Sequence, residues 1–182
     1  MKRTIGICMV LLFLIVLGIW SIQKYRSYQF NAQSVEGKIS MKDFEGSYKI
    51  VYFGYMSCPD VCPSTLFILG EALKILNRDD IVVLFVTLDP ERDKLPALDD
   101  YAKYFYTNSY GLWFEPNILE KIISHYGVSS QKIPLQNSAL QYSIAHSSSL
   151  YIFDKQGFLL QEFNNLATLQ EDLETFFANH QG

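Results

Sequence analysis

Ile50-Val51-Tyr52-Phe53-Gly54-Tyr55-Met56-Ser57-Cys58-Pro59-Asp60-Val61-Cys62-Pro63-Ser64-Thr65-Leu66 is the stretch from which the fold of this chain can be read. Its first four residues are apolar, β-branched or aromatic, the pattern of a buried strand. From Ser64 to Arg78 the apolar spacing turns helical, with Leu66, Leu69, Leu73 and Leu76 on one side. Two of the three cysteines therefore fall at a strand-to-helix turn. Pro63 suits the first helical turn, where a missing N–H costs nothing, and Ser64 and Thr65 are compatible with that start. If Cys62 stands on or beside this turn, an i,i+4 relation brings both sulfurs to one face.

Such a position favours thiolates, because unpaired N–H groups and the positive end of the helix dipole stabilise negative sulfur. A sulfur pair of this kind suits Cu(I), zinc or reversible disulfide chemistry. The plainer alternatives are a structural disulfide or two small buried apolar residues. The spacing of Cys58 and Cys62 is not that of a C-x-x-C redox motif, and no second pair completes a zinc ribbon. A third metal ligand has to come from elsewhere, and the chain offers three histidines. His125 ends a helical segment, where the helix C-terminus accounts for it without chemistry. His180 lies in a polar tail and is read as solvent-exposed. His146, flanked by Ala145 and three serines, has no packing duty and is a ligand candidate.

Outward from this stretch, Val35 to Ser40 reads as a short hairpin or turn leading into the domain, and Lys49 to Tyr55 as the first central strand. Asn77-Arg78-Asp79-Asp80 breaks the helix, and Ile81 to Leu88 is a continuous apolar run of the kind covered on both faces. Strand, helix and strand make a βαβ unit. Asp89-Pro90-Glu91-Arg92-Asp93 then lies at the carboxyl end of a parallel strand, where open α/β sheets place their sites. On local sequence it reads as a solvated turn with an Arg92–carboxylate pair. Helices are expected over Leu95 to Tyr106 and Asn117 to Tyr126, and residues 128–139 read as a polar loop. Leu150 to Phe153, the turn Asp154 to Gly157 and Phe158 to Leu160 form a hairpin just after His146, and Leu169 to Phe177 is an amphipathic helix.

At 182 residues, 49% of them hydrophobic, the chain suits one α/β domain plus an appendage. A net charge of −4 with no Lys/Arg-rich block excludes a nucleic-acid binder built on phosphate neutralisation. The aromatic residues, 15% of the chain, follow strand and helix patterns and read as core. The appendage is N-terminal. Residues 1–4 are followed by an almost uninterrupted apolar run over 5–22, long enough to span a bilayer and longer than the apolar region of a signal peptide, with no A-x-A site after it. Cys8 within it reads as a small apolar residue. Basic residues flank both ends, Lys2 and Arg3 against Lys24 and Arg26, so charge bias alone hardly orients the span. The expected division is a cytoplasmic N-terminus over 1–4, an anchor over 5–22, a tether over 23–33 and a domain over 34–182.

Phe53-Gly54-Tyr55, then Cys58-Pro59-Asp60-Val61-Cys62-Pro63, then Thr87-Leu88-Asp89-Pro90-Glu91-Arg92-Asp93, then His146-Ser147 before Leu150 to Asp154 and Gly157 together resemble the motif series of the Sco/SenC copper chaperones of cytochrome c oxidase biogenesis. The resemblance covers most of residues 30–180. It implies a thioredoxin-like fold, a central mixed sheet flanked by helices, tethered to a membrane by one N-terminal helix. It implies one copper held by Cys58, Cys62 and His146, as Cu(I) with Cu(II) tolerated, and a Cys58–Cys62 disulfide in the oxidised form. The implied role is delivery to the dinuclear copper centre of cytochrome c oxidase subunit II, with other periplasmic copper carriers as further partners and a domain facing the periplasm of a bacterial inner membrane. This is a carrier and not a catalyst in the usual sense. The alternative is a thiol–disulfide reductase that keeps the recipient's cysteines reduced. Two positions depart from the family pattern. Ala145 stands where an acidic residue commonly precedes the histidine, and Ser57 where a histidine or larger residue precedes the first cysteine. Asp89 is expected to add polarity near the site without being a ligand.

Overall fold

The computed structural model describes residues 2–180 and, within the first helix, the side chains of residues 6–20 and 22. That helix, α1 (Lys2–Ser27), precedes a hairpin of β1 (Asn31–Ser34) and β2 (Gly37–Ser40) and a 3-10 turn at Met41–Phe44. The apolar run before the cysteines becomes β3 (Tyr48–Gly54), which feeds α2 (Val61–Leu76) and then β4 (Ile81–Thr87). After them come α3 (Leu95–Phe105), β5 (Ser109–Leu112), α4 (Pro116–Tyr126), β6 (Ser130–Pro134), β7 (Tyr142–His146), β8 (Leu150–Phe153), β9 (Leu159–Phe163) and α5 (Leu169–Ala178). β1 to β2 and β6 to β7 are separate two-stranded ribbons, and the remaining strands form one sheet in the order β5-β4-β3-β8-β9.

The sheet is mixed, as expected. β3 runs parallel to β4 and β4 to β5, whereas β8 is antiparallel to both β3 and β9. Every residue of β3 and β4 is buried, which requires helices on both faces and explains why these strands read as unbroken apolar runs. Alternate residues of β3 serve the two layers. Tyr48 meets Phe177 of α5, and Tyr52 stacks over Phe85, whose ring also meets Tyr101 of α3. Phe53 faces the other way, packing edge-on against Tyr126 of α4 and Tyr151 of β8. Buried Lys49 sits on β3 beside the β8–β9 turn and donates to the carbonyls of Asp154 and Lys155 at 3.2 and 2.9 Å, pinning that turn.

Several expected elements shift. α2 starts three residues before Ser64, with Cys62 inside its first turn, and it ends where Asn77 turns left-handed at φ 46°. β5 was not legible as a strand, because Ser109-Tyr110-Gly111-Leu112 is too short and mixed to show an alternation. The stretch 128–139, read as a loop, contains β6, whose five residues are all exposed and so carry no apolar signature. Part of the stretch read as a tether is packed. Phe30 and Ala32 are buried, the Tyr28 ring meets Tyr126 and Phe153, and Gln33 and Trp113 exchange backbone hydrogen bonds of 2.9 Å each.

The expected 5–22 span falls within α1, and the side chains at 5 and 21 lie outside the described residues. The large apolar side chains described between Ile7 and Trp20 stand exposed, as does Cys8. Among the described residues no helix is long and apolar enough to cross a membrane.

α2 and α3 approach closely where Gly70 meets the end of α3, and a Cβ at 70 would run into the Phe105 carbonyl oxygen. Alanine is the better helix former by about 1 kcal/mol, but overpacking costs about 1–3 kcal/mol. Gly70→Ala is therefore expected to lower stability by roughly 1 kcal/mol and the thermal midpoint by about 2–4 °C, read by calorimetry. A midpoint that rises would show slack between the two helices.

Candidate metal centre

The cysteine turn is held by its own backbone. Cys58 donates its N–H to the Tyr55 carbonyl at 3.2 Å, and the Cys62 N–H points at Cys58 Sγ at 3.3 Å. Cys62 is completely buried and its sulfur lies over the end of β3, where a Cβ at Gly54 would come within 3.0 Å of it and 2.9 Å of the Phe85 ring. Only glycine leaves that seat open. His146 arrives from β7 and places Nε2 3.2 Å from Cys62 Sγ. The ligand atoms of Cys58, Cys62 and His146 all lie within 4.8 Å of one another, the one such His/Cys/acidic cluster among the described residues. Cys58 is half-buried and leaves the site an opening.

The protonation of Cys62 differs from the sequence expectation. Burial pushes its thiol up to about 12, against the weaker opposing pull of the Tyr55 backbone N–H, so desolvation outweighs the helix terminus. Burial also lowers the pKa of His146, whose ring is neutral near pH 7. The Ser147 carbonyl, 2.8 Å away, can only accept, so Nδ1 carries the proton and Nε2 presents its lone pair to the sulfur. This carbonyl orients the ring as an outer carboxylate would. Ala145 is exposed while His146 turns inward, so an acidic side chain at 145 would leave the strand on the opposite face.

The acidic turn after β4 is not the solvated turn its sequence suggests. The Arg92–carboxylate pair forms, but Asp89 is fully buried, held by Arg92 and by the Tyr142 hydroxyl at 2.8 Å. Arg92 also donates to the Leu140 and Tyr142 carbonyls at 2.9 and 3.0 Å and stacks over the Tyr142 ring. This ties the β6–β7 ribbon, which carries His146, to the end of β4. Asp93 ties in the cysteine turn, accepting from Met56 N–H at 3.1 Å and from the Thr87 hydroxyl at 2.6 Å. Tyr55 completes the frame, its hydroxyl accepting the Ile144 N–H at 3.1 Å while its ring sits edge-on to His146. Asp89 thus contributes polarity at one remove from the cluster of Cys58, Cys62 and His146. The roles of Asp93, Tyr55 and Tyr142 were not read from the sequence, although Tyr55 and Asp93 lie within the motifs that carry the family resemblance.

The other histidines stay away. His125 is exposed in the last turn of α4, as expected. His180 is half-buried, contrary to expectation. Its Nδ1–H donates to the Phe176 carbonyl at 2.7 Å, its ring stacks on Phe176 at 4.1 Å, and its carbonyl accepts from Arg78 at 2.8 Å.

A family model described as SCO1/SenC matches residues 23–177. This chain belongs to the SCO1/SenC family. It is 30% identical over 149 residues to an SCO2-like protein of Rickettsia prowazekii, covering 81% of this chain and 68% of that protein. It is 33% identical over 130 residues to an SCO2-like protein of Rickettsia conorii, covering 70% of this chain and 63% of that one. The chain thus spans about two thirds of the length of these curated relatives, 63% and 68%. Among solved structures it is similar to copper-bound ScoI of Bradyrhizobium japonicum, with a TM-score of 0.72, 28% identity and coverage of 83% of this chain and 96% of that one. Copper-bound ScoI of Arabidopsis thaliana matches with a TM-score of 0.74 at 25% identity, covering 83% and 97%. The SCO1/SenC domain here is the α/β, thioredoxin-like Sco fold.

Two sulfurs and an imidazole form a soft set that suits Cu(I). Binding there must expel the Cys62 proton, and His146, neutral above its lowered pKa, offers no competing proton. Between pH 7 and 8 the apparent Cu(I) affinity is expected to rise about tenfold from this thiol alone, measured by competition with a chromophoric Cu(I) chelator. An affinity flat across that range would mean that Cys62 binds as a neutral thiol or not at all.

Proposed function

We propose that this chain is a copper carrier of oxidase assembly, binding one copper through Cys58, Cys62 and His146 and passing it to the dinuclear copper centre of cytochrome c oxidase subunit II. The observation that carries the reading is the convergence of those three ligand atoms from separate segments at one sheet edge. Family membership and relatives of known structure with copper bound support the choice of metal. A carrier needs a site of low coordination with an open side, since its cargo leaves by ligand exchange, and half-buried Cys58 supplies that side. The copper is cargo here, and the residues serve to hold it, to give up their protons and to keep the ligands aligned.

In this reading α1 is a membrane tether. Large apolar side chains from Ile7 to Ile19 along this 26-residue helix stand exposed, and they support the reading. The domain then faces the periplasm of a bacterial inner membrane, where a cysteine pair can also cycle through a disulfide. A second reading, a thiol–disulfide reductase, is favoured by the asymmetry of the pair: half-buried Cys58 is accessible to a partner disulfide, and buried Cys62 stands ready to resolve it. The two readings separate on His146, which a reductase does not need.

The whole 182-residue chain in detergent, reduced and anaerobic, is expected to bind one Cu(I) per chain. Changes in outer partners of a metal site typically cost about 10–100-fold in affinity, so removing a ligand in Cys58→Ser, Cys62→Ser or His146→Ala is expected to cost more than about 100-fold. Titration against a competing chelator reads this, and incubation with copper-free subunit II domain reads transfer. A stoichiometric, tight Cu(I) complex in either serine variant would sink the three-ligand site. Full disulfide-reducing activity in His146→Ala, with no copper bound by wild type, would favour the reductase.

A further inference from the structure

Tyr52 lies wholly buried in β3, yet its hydroxyl has no hydrogen-bond partner among the described residues. Such an orphaned hydroxyl calls for an explanation. Tyr52 and Gly54 are two residues apart on one strand and share the face that α2 covers, and Gly54 is where the Cys62 sulfur is seated. The Tyr52 ring lies over Phe85, the same ring that borders this seat. Cys62 and Thr65, with Cys58 farther off, are the polar side chains that face the hydroxyl, close to it but without the geometry of a formed hydrogen bond. The Thr65 hydroxyl already donates to the Val61 carbonyl at 2.8 Å. As a thiol, Cys62 is a weak acceptor whose proton is shared toward His146 Nε2 at 3.2 Å. As a metal-bound thiolate the same sulfur is a charged and strong acceptor.

We propose that Tyr52 is a positioning residue whose hydroxyl donates to the Cys62 sulfur when that sulfur is a metal-bound thiolate. The buried phenol makes no formed hydrogen bond beside the Cys62 thiol and gains a charged acceptor when that sulfur is a metal-bound thiolate, so its hydrogen bond favours loading. The inference rests on the copper-carrier reading. It adds a donor to a site where two thiolates and one Cu(I) leave a net negative charge in a mostly buried seat. A hydrogen bond to a metal-bound thiolate also lowers the energy of the sulfur lone pairs, and so raises the energy of sulfur-to-Cu(II) charge transfer.

The test compares wild type with Tyr52→Phe and with 3-fluorotyrosine at position 52, a more acidic phenol and stronger donor. Copper-free Tyr52→Phe is expected to melt at or above the wild-type temperature, because an unmet hydroxyl is gone and the ring remains. Its Cu(I) affinity is expected to fall about tenfold, the range of a hydrogen bond to a charged group. Its Cu(II) charge-transfer band moves to lower energy, and the fluorotyrosine protein moves to higher energy. Thr65→Val is expected to leave the band in place; an equal shift there would assign the effect to Thr65 and overturn the proposal. Copper bound by Tyr52→Phe with wild-type affinity and an unmoved band would overturn this inference alone, as would an equal loss of stability with and without copper. Wild-type protein that holds no copper would overturn the carrier reading and this inference with it.

Discussion

Seven consecutive register pairs, from Tyr48 opposite Ile81 to Gly54 opposite Thr87, lock β3 and β4 side by side and parallel. Parallel strands end at the same edge, so the loop after β3 and the loop after β4 must emerge together. A 2.7 Å bond from the Leu88 N–H to the Gly54 carbonyl closes the pair just where the two loops diverge. One loop carries the cysteines and the other the buried carboxylates. β8 then pairs antiparallel with β3, Leu150 opposite Tyr52, and therefore begins where β3 ends. The segment just before β8 is delivered to the same edge, and β7 ends there in His146. Three pieces of chain, distant in number, are brought together by strand direction alone.

Strand direction sets the neighbourhood and polar contacts set the distances. Asp93 grips the cysteine turn through Met56, while Asp89 and Arg92 grip the β6–β7 ribbon through Tyr142 and Leu140. Asp89 and Asp93 are buried and lie four residues apart, a costly arrangement unless each is fully engaged. Arg92 and the two hydroxyls of Thr87 and Tyr142 engage them. The cost of burial is thereby converted into rigidity between two loops that must agree on where a ligand stands to within a fraction of an ångström. Burial favours the neutral form of both buried ligands, Cys62 as a thiol and His146 as an unprotonated ring. Loading by a soft cation therefore releases a proton and creates charge only when the cation is present to balance it.

The long, strongly patterned elements were open to inspection before any coordinates. β3 and β4 are apolar at nearly every position, and the leucines of α2 repeat at helical spacing. Elements whose stability comes from partners were not. β6 has five exposed residues and exists because β7 pairs with it, from Ser130 opposite His146 to Pro134 opposite Tyr142. β5 is four residues long and is defined by lying next to β4. His180 reads as a frayed tail residue, and only the approach of Arg78, from a different helix end, reveals that its backbone is tied down. The acidic turn after β4 looks solvated because its five residues include four charges, and their burial depends on a tyrosine about fifty positions away.

Local order in the sequence by itself determined the strand–turn–helix that carries Cys58 and Cys62, the i,i+4 relation of their sulfurs, and the α/β class of the domain. These follow from the period of apolar residues and from proline and cysteine chemistry, which act over a few residues. Whether His146 or another histidine joins the cysteines, which way Cys62 titrates, and whether Asp89 meets water were decided only by the tertiary structure. Each depends on desolvation and on contacts between segments about thirty to eighty residues apart, and neither spacing nor composition carries that information. The sulfur of Cys62 sits at the meeting point of both kinds of constraint: the helix start places it, and the closing of the sheet edge buries it.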